Sequence, residues 1–131
     1  MARKTEKREN RIDAMFARLR KEKRTAFATF TVGGDPTFEE SLARLKTFVE
    51  AGIDLIEIGY PFSDPILDGA TIQKANRRAM AAGGNLSKTF ELCTAFRKED
   101  DTTPLVLMGY ANPMVRRGAD WFAREARAAG V

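Results

Sequence analysis

The chain has 131 residues, 44% of them hydrophobic and 31% charged, with a formal charge of +4: the balance of one soluble globular domain at most, and not of a disordered or fibrous chain. No apolar run approaches the roughly 20 residues a membrane span requires, and the leading MARKTEKREN lacks the apolar core of a secretion signal, so the chain is expected in the cytoplasm. It contains no histidine, which leaves acid/base chemistry to carboxylates, lysines or tyrosines and removes the commonest metal ligand.

Residues 1 to 24 hold ten Lys or Arg against four Asp or Glu. A basic arm of this kind can bind nucleic acid. However, Ile12, Met15, Phe16 and Leu19 recur at helical spacing, so the arm reads instead as a basic N-terminal extension, 1 to 10, followed by an amphipathic helix with a basic solvent face. No nucleic-acid or membrane partner is expected.

From there strand and helix signals alternate, which predicts βα units around a parallel sheet. The first strand spans Thr25 to Val32 and closes on Gly33, Gly34, Asp35 and Pro36. Thr37 with Glu40 makes a capping box before a helix carrying Phe38, Leu42, Leu45 and Val49 on one stripe, and Gly52 stops it. Ile53 to Ile58 forms the second strand and is nearly continuous in apolar residues, as a strand covered on both faces would be. By strand period Leu55 and Glu57 share one face and Ile56 and Ile58 the other. Closed into a barrel, such a strand points Glu57 at the interior and the isoleucines at the helices.

A turn-rich, acid-rich loop then leads through Asp68 and Gly69 into a helix at about Thr71 to Ala82, which Gly83 and Gly84 break. A longer helix follows, about Ser87 to Lys98, with Leu92 and Phe96, and Phe90 and Cys93, as buried pairs. Cys93, the single cysteine, reads as a buried hydrophobe rather than a nucleophile. Leu105 to Tyr110 is the third strand, and Gly118 to Ala129 the last helix. The run Ala129, Gly130, Val131 repeats the handover at Ala51, Gly52, Ile53, where a helix gives way to a strand. The expected architecture is therefore the first portion of a larger α/β barrel, because three parallel strands cannot close one and an eight-stranded barrel takes about 250 residues.

The segment IEIGYPFSDPILDG, Ile56 to Gly69, resembles the signature of the tryptophan synthase alpha subunit family. The likeness extends to Arg11 to Arg24, to AFATFTVGGDP (Ala26 to Pro36), to Gly69 to Gly83, and to LMGYANP (Leu107 to Pro113). Gly109 and Thr29 depart from the familiar pattern. The resemblance implies a (β/α)8 TIM barrel, of which residues 11 to 131 hold the leading helix and about the first three βα units. It implies a lyase that cleaves indole-3-glycerol phosphate to indole and glyceraldehyde 3-phosphate in tryptophan biosynthesis.

By the same resemblance Glu57 is the catalytic acid/base. Asp68 is the second catalytic carboxylate, which accepts the indole N–H and stabilises charge developing on the ring. Phe30 and Tyr110, at the ends of the first and third strands, contact substrate, and the loops with Asp64 and with Asn112 and Pro113 face a beta subunit in an alpha2beta2 tetramer. The chain needs no cofactor of its own; pyridoxal phosphate belongs to the beta subunit. The substrate phosphate is held in the last quarter of the family's barrel, so this chain alone is expected to be inactive. The bland readings stay open beside these: an ion-paired interior Glu57, Asp68 as a helix cap, Phe30 and Tyr110 as core, and Asp64 and Asn112 to Pro113 as ordinary turns. The alternative function is a non-catalytic interaction module that keeps part of the beta-subunit interface.

Overall fold

A computed structural model of the protein describes residues 10–131; the basic extension lies, but for Asn10, outside the described residues. Helix α1 is Arg11–Glu22, followed by β1 Ala28–Val32, α2 Phe38–Glu50, β2 Leu55–Gly59, α3 Ala70–Ala81, α4 Leu86–Arg97, β3 Leu105–Met108, α5 Ala111–Arg117 and α6 Ala119–Ala128. The three strands form one parallel sheet in the order β1-β2-β3. Their register aligns Thr31 with Ile58 and Leu107 on one face, and Phe30 with Glu57 and Val106 on the other. The alternation expected for β2 is therefore present: Ile56 and Ile58 are fully buried against the helices, while Glu57 looks out of the opposite face.

The core lies between the sheet and α2, α4 and α6. Leu45 of α2 and Phe90, Leu92, Cys93 and Phe96 of α4 close on Ile56, Ile58 and Leu105. Trp121 and Phe122 of α6 meet Phe90 edge-on, with centroids 5.8 and 5.6 Å away. Both pairs expected on α4 are buried, and burial pushes the Cys93 thiol up to about 12, which leaves it an inert hydrophobe at neutral pH. Helix α3 packs separately, with Ala75 and Ala79 against Val32 of β1.

The helix ends follow local chemistry. Asn10, Thr37 and Asn85 each cap a helix by accepting the N–H of Asp13, Glu40 and Lys88. Gly52, with φ +89°, terminates α2 in the left-handed region.

At the N-terminal end of the sheet Asp54 is the organising residue. Its carboxylate accepts two hydrogen bonds of 2.7 Å from Arg24, one of 3.0 Å from Arg18 and one of 2.9 Å from the Phe27 N–H. The Arg24 guanidinium, with the Phe27 and Arg18 donors, holds this buried carboxyl well below the usual carboxylate range despite the opposing effect of burial. This clamp also explains why β1 starts at Ala28 rather than Thr25: the Phe27 amide goes to a side chain instead of a neighbouring strand.

Four further expectations change. Strand β2 runs to Gly59, so Glu57 is its central residue; β3 stops at Met108, so Gly109 and Tyr110 lie beyond it. On α1 only Met15 and Leu19 are buried, while Ile12 and Phe16 stay 39% and 44% exposed. Asn112 and Pro113, read as a turn, sit in the first turn of α5, where proline loses no helical hydrogen bond because its N–H would have no partner.

Candidate active site

The C-terminal ends of the strands, the loop from Pro61 to Gly69 and the start of α5 enclose a cavity of about 350 Å3. Phe30, Gly59, Asp68 and Tyr110 are in its wall, with Met108 from β3 and Asn76 from α3. Phe30 lies mid-strand rather than at the end of β1, and its ring crosses to β2, where a Cβ at Gly59 would come within 2.7 Å of it. Glycine at 59 is thus what lets this aromatic lie flat across the sheet.

Glu57 is paired in register with Phe30, one step deeper on the same face than Gly59. It is partly exposed and has no hydrogen-bond or ion-pair partner among the described residues. Glu57 is not in the cavity wall itself, but it shares its sheet face with Phe30 and Gly59, which are, and a partly exposed carboxylate there is accessible for proton exchange with a bound molecule.

Asp68 is held from the opposite side. Its Oδ2 accepts a 3.1 Å hydrogen bond from the Tyr110 hydroxyl, and its carbonyl accepts one from Gln73 Nε2. The residue that caps α3 is Gly69, with no side-chain cap hydrogen bond, so Asp68 does not serve as the helix cap. Its carboxylate faces the cavity instead.

Tyr110 is the hub. Its ring stacks on Phe62 with centroids 5.3 Å apart and its hydroxyl also accepts from the Leu67 N–H at 2.9 Å. Tyr60 donates to its carbonyl at 2.7 Å. The loop is tied back onto α3 by Asn76, which is 5% exposed: its Oδ1 accepts from the Phe62 N–H and its Nδ2 donates to the Ile72 carbonyl. Tyr60, Phe62 and Asn76 carry no local sequence signal of their roles, because each acts on a residue that the turn brings back from elsewhere in the chain.

The two loops expected to face a partner lie side by side. A groove of about 720 Å3 runs between Pro61 to Ser63 and α5, with Asn112, Pro113, Arg116, Arg117 and Trp121 along it. The Arg117 guanidinium covers the Trp121 ring at 4.2 Å. Asp64 is outside the groove and exposed, its carboxylate accepting from Ser63 Oγ and its carbonyl from the Ile66 N–H. Locally it is an Asp-Pro turn.

Parallel βα units with α2, α4 and α6 packed on one sheet face and Glu57 on the other define this fold class as α/β of the TIM-barrel kind, with the leading helix and first three βα units present. The chain belongs to the tryptophan synthase alpha chain family, whose model it matches over residues 16–131. It is 51% identical over 122 residues to the tryptophan synthase alpha chain of Zymomonas mobilis, an alignment covering 93% of this chain and 44% of that protein. It is similar in structure to the alpha subunit from Legionella pneumophila, with a TM-score of 0.91 and 36% identity over 94% of this chain and 47% of that one. The alpha subunit in the Pyrococcus furiosus a2b2 complex gives a TM-score of 0.76 and 40% identity over 81% of this chain and 43% of that one. The chain thus spans about half the length of the relatives it matches.

Proposed function

We propose that this chain supplies the catalytic carboxylates of a lyase that cleaves indole-3-glycerol phosphate to indole and glyceraldehyde 3-phosphate in tryptophan biosynthesis. The reading is carried by one observation: Asp68, Tyr110 and Phe30 meet around a single cavity on the sheet face that also presents Glu57. In this reading Glu57 delivers a proton to the indole ring carbon that bears the glycerol chain and takes one from the adjacent hydroxyl. The carbon–carbon bond breaks, its electrons return to the ring, and the hydroxyl carbon becomes the aldehyde. Asp68 accepts the indole N–H and opposes the positive charge that forms on the protonated ring, which is electrostatic stabilisation of the transition state. Phe30 flanks the ring and Tyr110 holds Asp68 in place.

No cofactor is assigned to this chain. Its partner would be a pyridoxal-phosphate-dependent beta subunit, seated against the loops of Asp64 and of Asn112 and Pro113 in an alpha2beta2 assembly, and its compartment the cytoplasm. No helix among the described residues is long and apolar enough to cross a membrane.

The experiment is a cleavage assay on this chain alone and on the chain completed with the part of the Zymomonas mobilis relative it does not span. Turnover is expected from the completed chain and not from the chain alone, and purified beta subunit should bind and accelerate the completed form. A folded, completed chain without turnover would reject the catalytic reading. If that same chain still bound the beta subunit, the interaction-module reading would replace it, in keeping with the groove beside α5.

A further inference from the structure

We propose that Tyr60 is the positioning residue for Asp68, acting through Tyr110, and that Gly109 is glycine to admit the Tyr60 ring. The inference deepens the cleavage reading, since it rests on Asp68 facing the substrate. Tyr60 follows the last residue of β2 and is 6% exposed. One edge of its ring meets Phe122 of α6, with centroids 6.4 Å apart. Its other contact is Gly109, where any Cβ would overlap the ring. From that seat the hydroxyl reaches the Tyr110 carbonyl at 2.7 Å. Burial pushes the Tyr60 phenol above its ordinary pKa, so it stays a proton donor throughout the neutral range.

The next link is Tyr110 itself, whose hydroxyl donates to Asp68 Oδ2 and accepts from the Leu67 N–H. Asp68 needs such a tether. The two residues before it, Ile66 and Leu67, are 81% and 86% exposed, so the loop is not fixed by its own packing at that point. Tyr60 fixes the backbone of Tyr110, Phe62 fixes its ring, and Tyr110 fixes the carboxylate. The pairing accounts for the glycine: with a tyrosine at 60, position 109 has no room for a Cβ.

The test uses the chain itself, with indole as the probe. Dissociation constants from NMR titration of the parent, Tyr60→Phe, Asp68→Ala and the double variant form a thermodynamic cycle. Tyr60→Phe should weaken indole about fivefold in the parent, the scale of one hydrogen bond, and leave affinity within about twofold in the Asp68→Ala background. Equal loss in both backgrounds would show that Tyr60 only shapes the cavity wall, and would overturn the proposal. If the chain alone does not bind indole, the substrate reading is decided on the completed chain as above, and the relay is decided by the Leu67 amide. Exchange there should quicken about fivefold in Tyr60→Phe, as in Tyr110→Phe; unchanged exchange rejects the relay. Should Tyr60→Phe fail to fold, Gly109→Ala displaces the same ring with its hydroxyl kept, and the same two readouts apply to it.

Discussion

Glu57 and Asp68 differ in what surrounds them, and that difference sets what each should show on substitution. Glu57 has no protein partner among the described residues, so Glu57→Gln removes no native contact. In the completed chain the variant should keep its stability within about 0.5 kcal/mol while cleavage falls at least roughly 10²-fold; near-normal turnover would remove Glu57 from the acid/base role. Asp68 accepts from Tyr110 and does not cap α3. Asp68→Asn should therefore hold the melting temperature and lower turnover about 10²-fold, the scale of losing one preorganised electrostatic partner. Asp68→Ala removes the Tyr110 hydrogen bond and should cost about 1 kcal/mol, but with Gly69 as the cap it should leave amide exchange in the first turn of α3 unchanged, where loss of a true cap would quicken it.

Among the elements, β2 does the most: one end carries the clamp that fixes the sheet and the other the mouth of the cavity. Asp54, the residue before the strand, has a pKa held well below an ordinary carboxylate, so its stabilisation is complete above the unfolded value of about 3.9 and is lost as pH falls through the lower folded value. Asp54→Asn should cost roughly 2 kcal/mol at neutral pH, the scale of hydrogen bonds to a charged acceptor. The gap between parent and variant should narrow below about pH 4, as urea titrations across pH would reveal. A gap independent of pH would mean that the carboxylate charge contributes nothing. Helix α3 gives a second case. Asn76→Ala strips the acceptor from the buried Phe62 N–H and should cost about 1–3 kcal/mol, with faster amide exchange confined to residues 62–69.

At the scale of the whole molecule, α2, α4 and α6 cover one face of the sheet while the other carries α3 alone, packed against Val32 and Phe30 of β1, and β1 and β3 each have a single strand neighbour among the described residues. Phe27 and Met108 are 63% and 52% exposed, and Ile12 and Phe16 of α1 stand open as well. Unpaired edges beside apolar surface promote association. Light scattering on this chain should give a mass that rises with concentration, and a strictly monomeric solution state would show that the open face is satisfied in some other way.

The sequence by itself determined the element types, the family likeness and the parity of β2, because periodicity and turn chemistry are local and Ile56, Ile58 and Glu57 sort by alternation alone. Its family likeness also named Asp68 and Tyr110 as candidate site residues, and both line the same cavity. Whether Asp68 caps a helix or faces a cavity was a tertiary decision, taken by a Tyr110 hydroxyl 42 residues away in the chain. The same holds for the starts and stops of the strands: Asp54 takes the Phe27 amide and shortens β1, and Gly109, adjoining the Tyr60 ring, lies beyond the end of β3. Hydrogen bonds and ring contacts between distant residues leave no period in the sequence, and so Tyr60, Phe62 and Asn76 became legible only once the fold had brought their partners to them.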